Sequence, residues 1–309
     1  AVAGVGNNLN VRVSVGGHSC TGTGSCGNQI AYARPVLNSI GAGAVASTVG
    51  GDGVVQLGGT NFGSDISAFR ATYGPAGSEG KYEDGGCTMV TPHTVVECTH
   101  SEGYGESLHW RVIVAGQASG TSTETTRYRR PSITSVVWEA NAARREALAD
   151  AGLAVVATDG GITRLDTRGG EVVKIVGEDL GPLGMPQGDI EVSYGPSGSE
   201  FVAQECAVTI AHKELQCRTV AGVGKDHKWL VTIGGQQSDA SPAWTSYAPP
   251  RVDGVSGPGT LQARTKGGDA VYISGRFFGF SAAQVGVFYG PQGVGYDAQN
   301  CEVTSDDAR

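Results

Sequence analysis

Short apolar runs alternate with polar residues along most of the chain, and Gly, Pro, Asn or Asp bounds each run. The runs WRVIVAG from Trp110 and WLVTIGG from Trp229 place Trp and two aliphatic residues at every second position. A two-residue period over about four to eight positions is typical of a strand with one buried face. The sequence therefore predicts an all-β protein made of short strands and tight turns.

The strand pattern repeats in a fixed order. Tyr-Gly-Pro occurs at Tyr73, Tyr194 and Tyr289, each time after an alternating run and before a cysteine. A GG-containing strand precedes each copy. The first two copies are followed by another strand, which leads into a Gly-rich turn and then Tyr and Pro. The same strand, turn, Tyr and Pro also open the chain. Recurrence of this kind is the signature of repeat architecture.

We predict four segments: the C-terminal half of a domain at 1–34, a complete domain at 35–131, a second at 132–250, and the N-terminal half of a domain at 251–309. The alignment starts the chain at the equivalent of Thr219 and ends it at the equivalent of Glu214. The two halves are therefore expected to complement each other within one chain or between neighbouring chains.

The second complete repeat carries extra residues near its start. They include Glu139–Ala151, which is rich in strong helix formers and is followed by Gly152. We expect a short helical insertion at about 138–168. It is either a surface decoration or a contact element against a neighbouring repeat.

The cysteines follow the repeat. Cys87 and Cys98 have the same spacing as Cys206 and Cys217, so each pair is expected to bridge neighbouring strands of its own domain. The equivalent partner of Cys301 falls just beyond residue 309, outside this sequence. Cys20 and Cys26 are expected to clip a loop, and neither spacing fits a structural zinc site. Repeated disulfides favour an extracellular location.

The order PSITSV, GG-x-V-x-I-x-G, V-x-Y-G, two cysteines, then GQ-x-S and a Tyr before Pro resembles the IPT/TIG domain. That family is an immunoglobulin-like β-sandwich, which agrees with roughly seven strands per repeat. The resemblance covers nearly the whole chain. It implies tandem sandwiches, as found in surface receptors, large secreted arrays, transcription factors and accessory domains of starch-acting enzymes.

Composition narrows these settings. Gly accounts for 50 of 309 residues, against about 22 at ordinary usage, which fits one set of turns copied several times. The formal charge of −8 disfavours nucleic acid as a partner. We find no apolar run of membrane-span length and no signal peptide at residues 1–10.

No residue pattern points to an enzyme, a cofactor or a metal site. His93 and His212 occupy equivalent positions and are interpreted as turn residues, whereas the other four histidines are interpreted as surface residues: His18, His100, His109 and His227. The Gly-rich strings lead into strands and not into helix N-termini, so they are not phosphate loops. The acidic residues lack the spacing of a calcium loop, although a site between domain edges stays an alternative: Asp159, Asp166, Glu178, Asp179 and Asp189.

One loop holds a cluster of hydroxyl side chains that are candidate O-glycan acceptors: Ser119, Thr121, Ser122, Thr123, Thr125 and Thr126. The alternative is an ordinary solvated polar loop.

The sequence supports three hypotheses for function. The first is a non-catalytic structural repeat segment of an extracellular filament or elongated cell-surface protein, with itself as its partner, head to tail or in a continuous array. The second is an adhesin or receptor ectodomain that binds protein or glycan, for which Trp138 and Trp244 are candidate exposed aromatic residues. The third is a set of accessory domains of a carbohydrate-active enzyme.

Overall fold

The structure is a computed structural model that describes residues 2–20, 29–41, 45–138, 157–158 and 161–304. Helical geometry in this part of the chain is confined to four short 3-10 turns, so the predicted all-β class is confirmed. The chain divides into two compact units. The first comprises Ala1–Arg130, Asp179–Pro182 and Ile233–Gln236, and the second comprises Pro131–Glu178, Leu183–Thr232 and Gln237–Arg309.

The described residues before Arg130 form thirteen strands. They are β1 (Leu9–Asn10), β2 (Val13–Val15), β3 (His18–Cys20), β4 (Gln29–Ile30), β5 (Val36–Ile40), β6 (Val45–Ala46), β7 (Val55–Thr60), β8 (Phe69–Gly74), β9 (Tyr82–Thr91), β10 (Val95–His100), β11 (Leu108–Val114), β12 (Gln117–Ala118) and β13 (Thr125–Tyr128), with a 3-10 turn at Ile66–Ala68.

The strands from β5 to β13 form one sandwich. The strand order β5-β7-β10-β9 continues through β8-β11-β13-β6, because the long strand β9 pairs with both β10 and β8. Alternate side chains of both halves, such as Leu57 and Val96 from one and Tyr73 and Trp110 from the other, share a single buried core. This order and layering match the immunoglobulin-like arrangement.

The remaining strands begin at Ser132. They are β14 (Ser132–Trp138), β15 (Ala157–Thr158), β16 (Gly161–Leu165), β17 (Val172–Glu178), β18 (Ile190–Gly195), β19 (Phe201–Val202), β20 (Gln204–Ile210), β21 (Glu214–Arg218), β22 (Lys228–Ile233), β23 (Gln236–Gln237), β24 (Trp244–Tyr247), β25 (Arg251–Ser256), β26 (Tyr272–Arg276), β27 (Phe288–Tyr289) and β28 (Tyr296–Asp297), with 3-10 turns at Gln187–Asp189, Ala282–Gln284 and Pro291–Gly293.

The strands from β14 to β24 repeat the same architecture. One sheet has the order β14-β17-β21-β20, and the other strands form the orders β19-β18-β22-β23 and β15-β16-β24. Strand β16 runs parallel to β24, just as β6 runs parallel to β13. The two complete domains are thus immunoglobulin-like sandwiches with the same strand plan.

The range predicted for the helical insertion, about 138–168, is corrected at its two ends, where the structure has strands. Within the expected range 138–168, Trp138 ends strand β14, and the described residues Ala157–Thr158 and Gly161–Leu165 are strands β15 and β16. Parallel pairing of β16 with β24 extends the sheet, because it supplies partners for backbone groups that would otherwise form an edge. The helix-forming residues 139–151 lie outside the described residues.

The two outer segments carry parts of the same pairing pattern. Leu9 pairs with Ile30 as Leu108 pairs with Thr126 in the complete domain. Toward the other end of the chain, Tyr289 pairs with Tyr296, as Tyr73 does with Tyr82 and Tyr194 with Phe201.

One glycine recurs at the same strand position in three repeats for a packing reason. A Cβ on Gly59, Gly177 or Gly275 would collide with the carbonyl oxygen of Val36, Ser132 or Arg251, respectively, on the neighbouring strand. Each of these glycines lies opposite an irregularity in the strand pairing, where two backbones approach closely. Part of the Gly excess is therefore a packing requirement copied three times.

Candidate functional site

A closed circuit of hydrogen bonds joins three segments of the first complete domain. The backbone N–H of Ser101 donates to the Tyr73 hydroxyl at 2.8 Å, and the Tyr128 hydroxyl donates to the Ser101 carbonyl at 2.9 Å. The two hydroxyl oxygens are 2.8 Å apart. Since Tyr128 donates to Ser101, Tyr73 donates to Tyr128. We call this arrangement the tyrosine circuit, and it ties the loop after β10 to strands β8 and β13.

The second complete domain has the same circuit. The Val220 N–H donates to Tyr194 at 2.9 Å, the Tyr194 and Tyr247 hydroxyls are 2.7 Å apart, and Tyr247 donates to the Val220 carbonyl at 2.6 Å. Burial raises the pKa of each of the four tyrosines involved, which are Tyr73, Tyr128, Tyr194 and Tyr247. Each hydroxyl therefore keeps its proton and can donate.

A tryptophan stacks on the first tyrosine of each circuit. The ring centroids of Trp110 and Tyr73 are 4.3 Å apart, as are those of Trp229 and Tyr194. The indole N–H of Trp110 donates to the Thr126 hydroxyl at 2.9 Å, and that of Trp229 donates to Thr245 at 3.1 Å. Each indole is thus both packed and hydrogen-bonded.

Serine hydroxyls supply partners to the Trp strand in both domains. Ser119 and Ser122 accept hydrogen bonds from the backbone N–H groups of Val112 and Trp110. In the second domain Ser238 and Ser241 do the same for Val231 and Trp229. These hydroxyls satisfy amides of a strand that would otherwise lack a partner at this point.

This arrangement divides the six candidate O-glycan acceptors into a buried group and an exposed group. Ser119, Ser122 and Thr126 are buried and occupied by the hydrogen bonds above, so a sugar on any of them would break the core. The other three are exposed: Thr121, Thr123 and Thr125. The glycan hypothesis is therefore restricted to these three residues, and a solvated polar loop stays its alternative.

Two histidines interpreted as surface residues are buried. His100 lies in the first core, with Nδ1 2.9 Å from the Gly53 carbonyl oxygen and Nε2 2.9 Å from the Thr126 hydroxyl. His227 lies in the second core with 1% exposure, and neither ring nitrogen has a hydrogen-bond partner. Burial lowers the pKa of both, so both are neutral near pH 7.

The two histidines reach the core from different segments, since His100 ends strand β10 and His227 lies just before strand β22. Alignment on the Trp pairs His227 with Leu108, and alignment on the second cysteine pairs His100 with Thr219. Period-two alternation assigns His227 to the buried face, and this signal in the sequence could have found it. His93 and His212, by contrast, lie in turns with φ of 67° and 64°, as their interpretation as turn residues requires.

The cysteine pairs match their predicted partners. Cys87 is bonded to Cys98, and Cys206 to Cys217, across strands β9–β10 and β20–β21. Cys20 is also disulfide-bonded, while Cys26 lies outside the described residues. Cys301 is a half-buried free thiol.

The remaining candidates do not assemble into a metal or aromatic site. In the described part of the chain no group of three or more His, Cys, Asp or Glu side chains could hold a metal ion. Asp166 pairs with Arg168 at 2.8 Å and Asp179 accepts from the Thr48 amide, while Asp159 lies outside the described residues. Trp138 and Trp244 are half-buried and do not form an exposed platform.

The Gln of the GQ turn has a role that was not predicted from the sequence. Within the first compact unit, the Gln117 side-chain amide donates to the Tyr32 carbonyl at 3.2 Å, and Gln236 donates to the Tyr128 carbonyl at 3.0 Å. In both cases the acceptor is the Tyr before the Pro of the preceding repeat. The recurrence of GQ in both turns is the sequence signal that could have indicated this role.

A second contact recurs between the same parts of the repeats. A Cβ added to Gly63 would lie 2.7 Å from Cγ1 of Val5, and one added to Gly279 would lie 2.6 Å from Cγ1 of Val223. Each glycine follows the apolar end of the GG-containing strand, and each valine lies in a Gly-Val-Gly of the preceding repeat.

Across the described residues, no helix has the length and apolar character needed to cross a membrane. No known family model matches the chain, and no curated protein matches it. Fold comparison finds similar solved structures.

The full extracellular region of Plexin A4 is 14% identical over 72% of this chain and 16% of its own, with a TM-score of 0.26. SGBP-B, from a xyloglucan utilization locus in Bacteroides uniformis, is 11% identical over 68% of this chain and 49% of its own, with a TM-score of 0.24. The Escherichia coli adhesin FdeC is 12% identical over 72% and 67%, with a TM-score of 0.25. These values are too low to support an inference about function. By their own strand order and cores, the two complete domains are immunoglobulin-like sandwiches.

Proposed function

We propose that this chain is a non-catalytic structural repeat segment, of IPT/TIG type, from an extracellular filament or elongated cell-surface protein. The observation that carries the proposal is the repeated contact between successive repeats. The same Gln-to-Tyr-carbonyl bond occurs twice, and the same Gly-to-Val contact occurs twice. A contact that each repeat makes with the next in the same way is what a linear array needs.

Two further observations support this function. Prolines follow the last strand of each repeat, in ARP at Pro35, RRP at Pro131 and APP at Pro249 and Pro250. Proline fixes φ and restricts the residue before it, which limits bending at the connection. Two disulfides at equivalent positions are typical of proteins that work in an oxidising environment.

The cores are built for stability and not for chemistry. The hydroxyls of the tyrosine circuit and the two indoles form hydrogen bonds with other hydroxyls or with the backbone, and the circuit recurs in both domains. Disulfides and closed polar networks resist unfolding, which suits a load-bearing or exposed filament.

Electron microscopy of the protein isolated from its natural source, without reducing agent, tests the proposal. We expect filaments or rods whose axial repeat corresponds to a whole number of domain lengths, and peptide mapping of the same material should recover the Cys87–Cys98 and Cys206–Cys217 peptides as linked pairs. Compact single particles, or free thiols at these four cysteines, would overturn the proposed function.

A further inference from the structure

The contacts between successive repeats in the first compact unit involve side chains of different size. The middle residue of a Gly-x-Gly segment is Val5 in one repeat and Tyr104 in the next. Tyr104 contacts Gly234, and alignment on the GQ turn makes Ala115 the equivalent of Gly234. We call each place where a GQ turn meets the preceding Gly-x-Gly segment a junction. Valine is therefore combined with alanine at one junction, and tyrosine with glycine at the other.

Tyr104 leaves no room for a side chain at Gly234. A Cβ added to Gly234 would lie 2.7 Å from Cδ2 of Tyr104 and 3.0 Å from Cα of Gly105. At the other junction the turn residue has a Cβ, and even a Cβ added to Gly6 would lie 3.7 Å from that of Ala115. The backbone does not cause this difference, because φ is 45° at Ala115 and 54° at Gly234. The size of the residue across the junction decides which of the two fits.

The Tyr104 ring is held where it blocks the alanine. It is buried, and its centroid lies 4.1 Å from Nζ of Lys81 and 6.4 Å from the centroid of Tyr82. The Tyr82 hydroxyl donates to the Tyr104 carbonyl at 3.0 Å, which also fixes the backbone. The ring can therefore move aside only by giving up packing and cation–π contacts.

A second pair of residues also differs from repeat to repeat. Asp179, which follows the GG-containing strand, accepts hydrogen bonds from the N–H and the hydroxyl of Thr48 at 2.8 and 3.3 Å within the first compact unit. The equivalent residues are Asn61 and Phe277, and φ is 56°, 63° and 63° at the three positions. Asn61 instead donates its amide N–H to the Arg34 carbonyl at 2.9 Å. One backbone conformation thus presents an acceptor, a donor or an apolar ring.

We infer that these residue pairs match each repeat to the repeat before it and so fix the order of repeats along the chain. A GQ turn with alanine is excluded behind Tyr104, so the repeat 35–131, which carries both Tyr104 and Ala115, does not fit behind a copy of itself. Specificity of this kind combines a fitting contact with a steric exclusion of the wrong neighbour.

In a linear array each repeat contacts only its neighbours, so the contact at each junction sets which neighbour is stable there. This inference rests on the proposed structural-array function and names what selects the neighbouring repeat.

Thermal unfolding of the intact chain, followed by circular dichroism, tests the matching. Gly234→Ala should lower the midpoint by roughly 8 °C, because the added methyl group overpacks a fixed contact. The matched control is Gly235→Ala, since Gly235 also has a positive φ, of 86°, but a Cβ there would meet no atom within 4 Å. This control measures the backbone cost alone and should lower the midpoint by no more than about 3 °C.

Exchange of both partners separates the junction contact from a loss of stability within one repeat. Tyr104→Val installs the residue of the other junction, and in this background Gly234→Ala should lower the midpoint by only about 3 °C, as the control does. A merely local role of Gly234 would give the same loss in both backgrounds.

The second pair is tested in the same assay. Asp179→Phe should lower the midpoint by roughly 5 °C, because it removes the acceptor of the Thr48 N–H. The backbone itself admits this residue, since Phe277 has nearly the same φ.

Three results would overturn the inference: a Gly234→Ala chain that is as stable as the Gly235→Ala chain, equal losses from Gly234→Ala in both backgrounds, or an Asp179→Phe chain that is as stable as the wild type. Any of these alongside filaments in the micrographs overturns only the matching of repeats. Free thiols in mapped native protein overturn the proposed function and leave the unfolding measurements intact.

Discussion

Replacing His227 by leucine should stabilise the second complete domain. The imidazole is 1% exposed, and neither of its nitrogens has a hydrogen-bond partner. Its ring packs against three aromatic rings, those of Tyr194, Phe201 and Tyr247. The first domain has Leu108 at the aligned position, also 1% exposed, so leucine is compatible with this place in the fold.

A buried polar group without a partner costs about 1–3 kcal/mol. Leucine has a similar size, removes this cost and adds apolar surface to the core. The backbone hydrogen bonds between His227 and Thr245 do not involve the side chain and remain in the variant. We therefore expect His227→Leu to raise the free energy of unfolding of the second domain by about 1–2 kcal/mol at pH 7.5.

The gain should increase in acid. Burial lowers the pKa of His227, so the folded state stays neutral while the unfolded state begins to bind a proton near pH 6.5. The stability of the wild type is therefore intact above pH 6.5 and falls as the pH drops toward the folded-state pKa. The advantage of leucine grows by up to ~1.4 kcal/mol per pH unit in this range.

Urea unfolding followed by tryptophan fluorescence at pH 7.5 and pH 5.5 measures both effects, with hydrogen exchange of strand β22 to assign the transition. The matched control is Leu108→His, which should destabilise the first domain by about 3 kcal/mol, since it loses apolar burial and adds an unpaired imidazole. A His227→Leu chain that is less stable than the wild type, or that keeps its full pH dependence, would refute the reasoning.

Three further predictions follow from the same domains. Replacing Cys87 and Cys98 together by serine should lower the stability of the first domain by about 3 kcal/mol, because the disulfide no longer restricts the unfolded chain of the variant. Urea unfolding measures the loss, and an unchanged midpoint would contradict the prediction. Tyr128→Phe should lower the free energy of unfolding by about 2 kcal/mol, because it opens the circuit and leaves the Ser101 carbonyl without its donor. Calorimetry measures this loss, and Tyr82→Phe, which removes the hydroxyl that donates to the Tyr104 carbonyl, is the comparison variant. Glycopeptide mapping should place any sugar in this loop on Thr121, Thr123 or Thr125; a sugar on Ser119, Ser122 or Thr126 in folded protein would show that the buried assignment is wrong.

Much of the fold could be predicted from local patterns, because each pattern occurs in more than one repeat. The equal spacing of the cysteine pairs at the same place in each repeat predicted both cross-strand disulfides, since equivalent hairpins bring equivalent residues together. The turn assignment of His93 and His212 also followed from equivalence.

Other features could not be read from local patterns. His100 and His227 were predicted to lie on the surface because no ligand spacing connects them, yet the end of strand β10 and the residue before strand β22 bring them into equivalent cores. Three of the six clustered hydroxyls accept hydrogen bonds from strand β11. These bonds depend on how the residues after β12 fold back toward β11. Strands β15 and β16 were not predicted, because β16 joins the fold by pairing with β24, which lies far along the chain.

By itself the sequence determined the all-β class, the partners of the two cross-strand disulfides and the positions of the turn glycines, because each depends on residues close in the chain or on copies of one pattern. Only the tertiary structure decided which polar side chains are buried and how Tyr73 and Tyr128 meet through Ser101. These features depend on contacts between segments far apart in sequence, and hydrophobic periodicity carries no information about which segments meet.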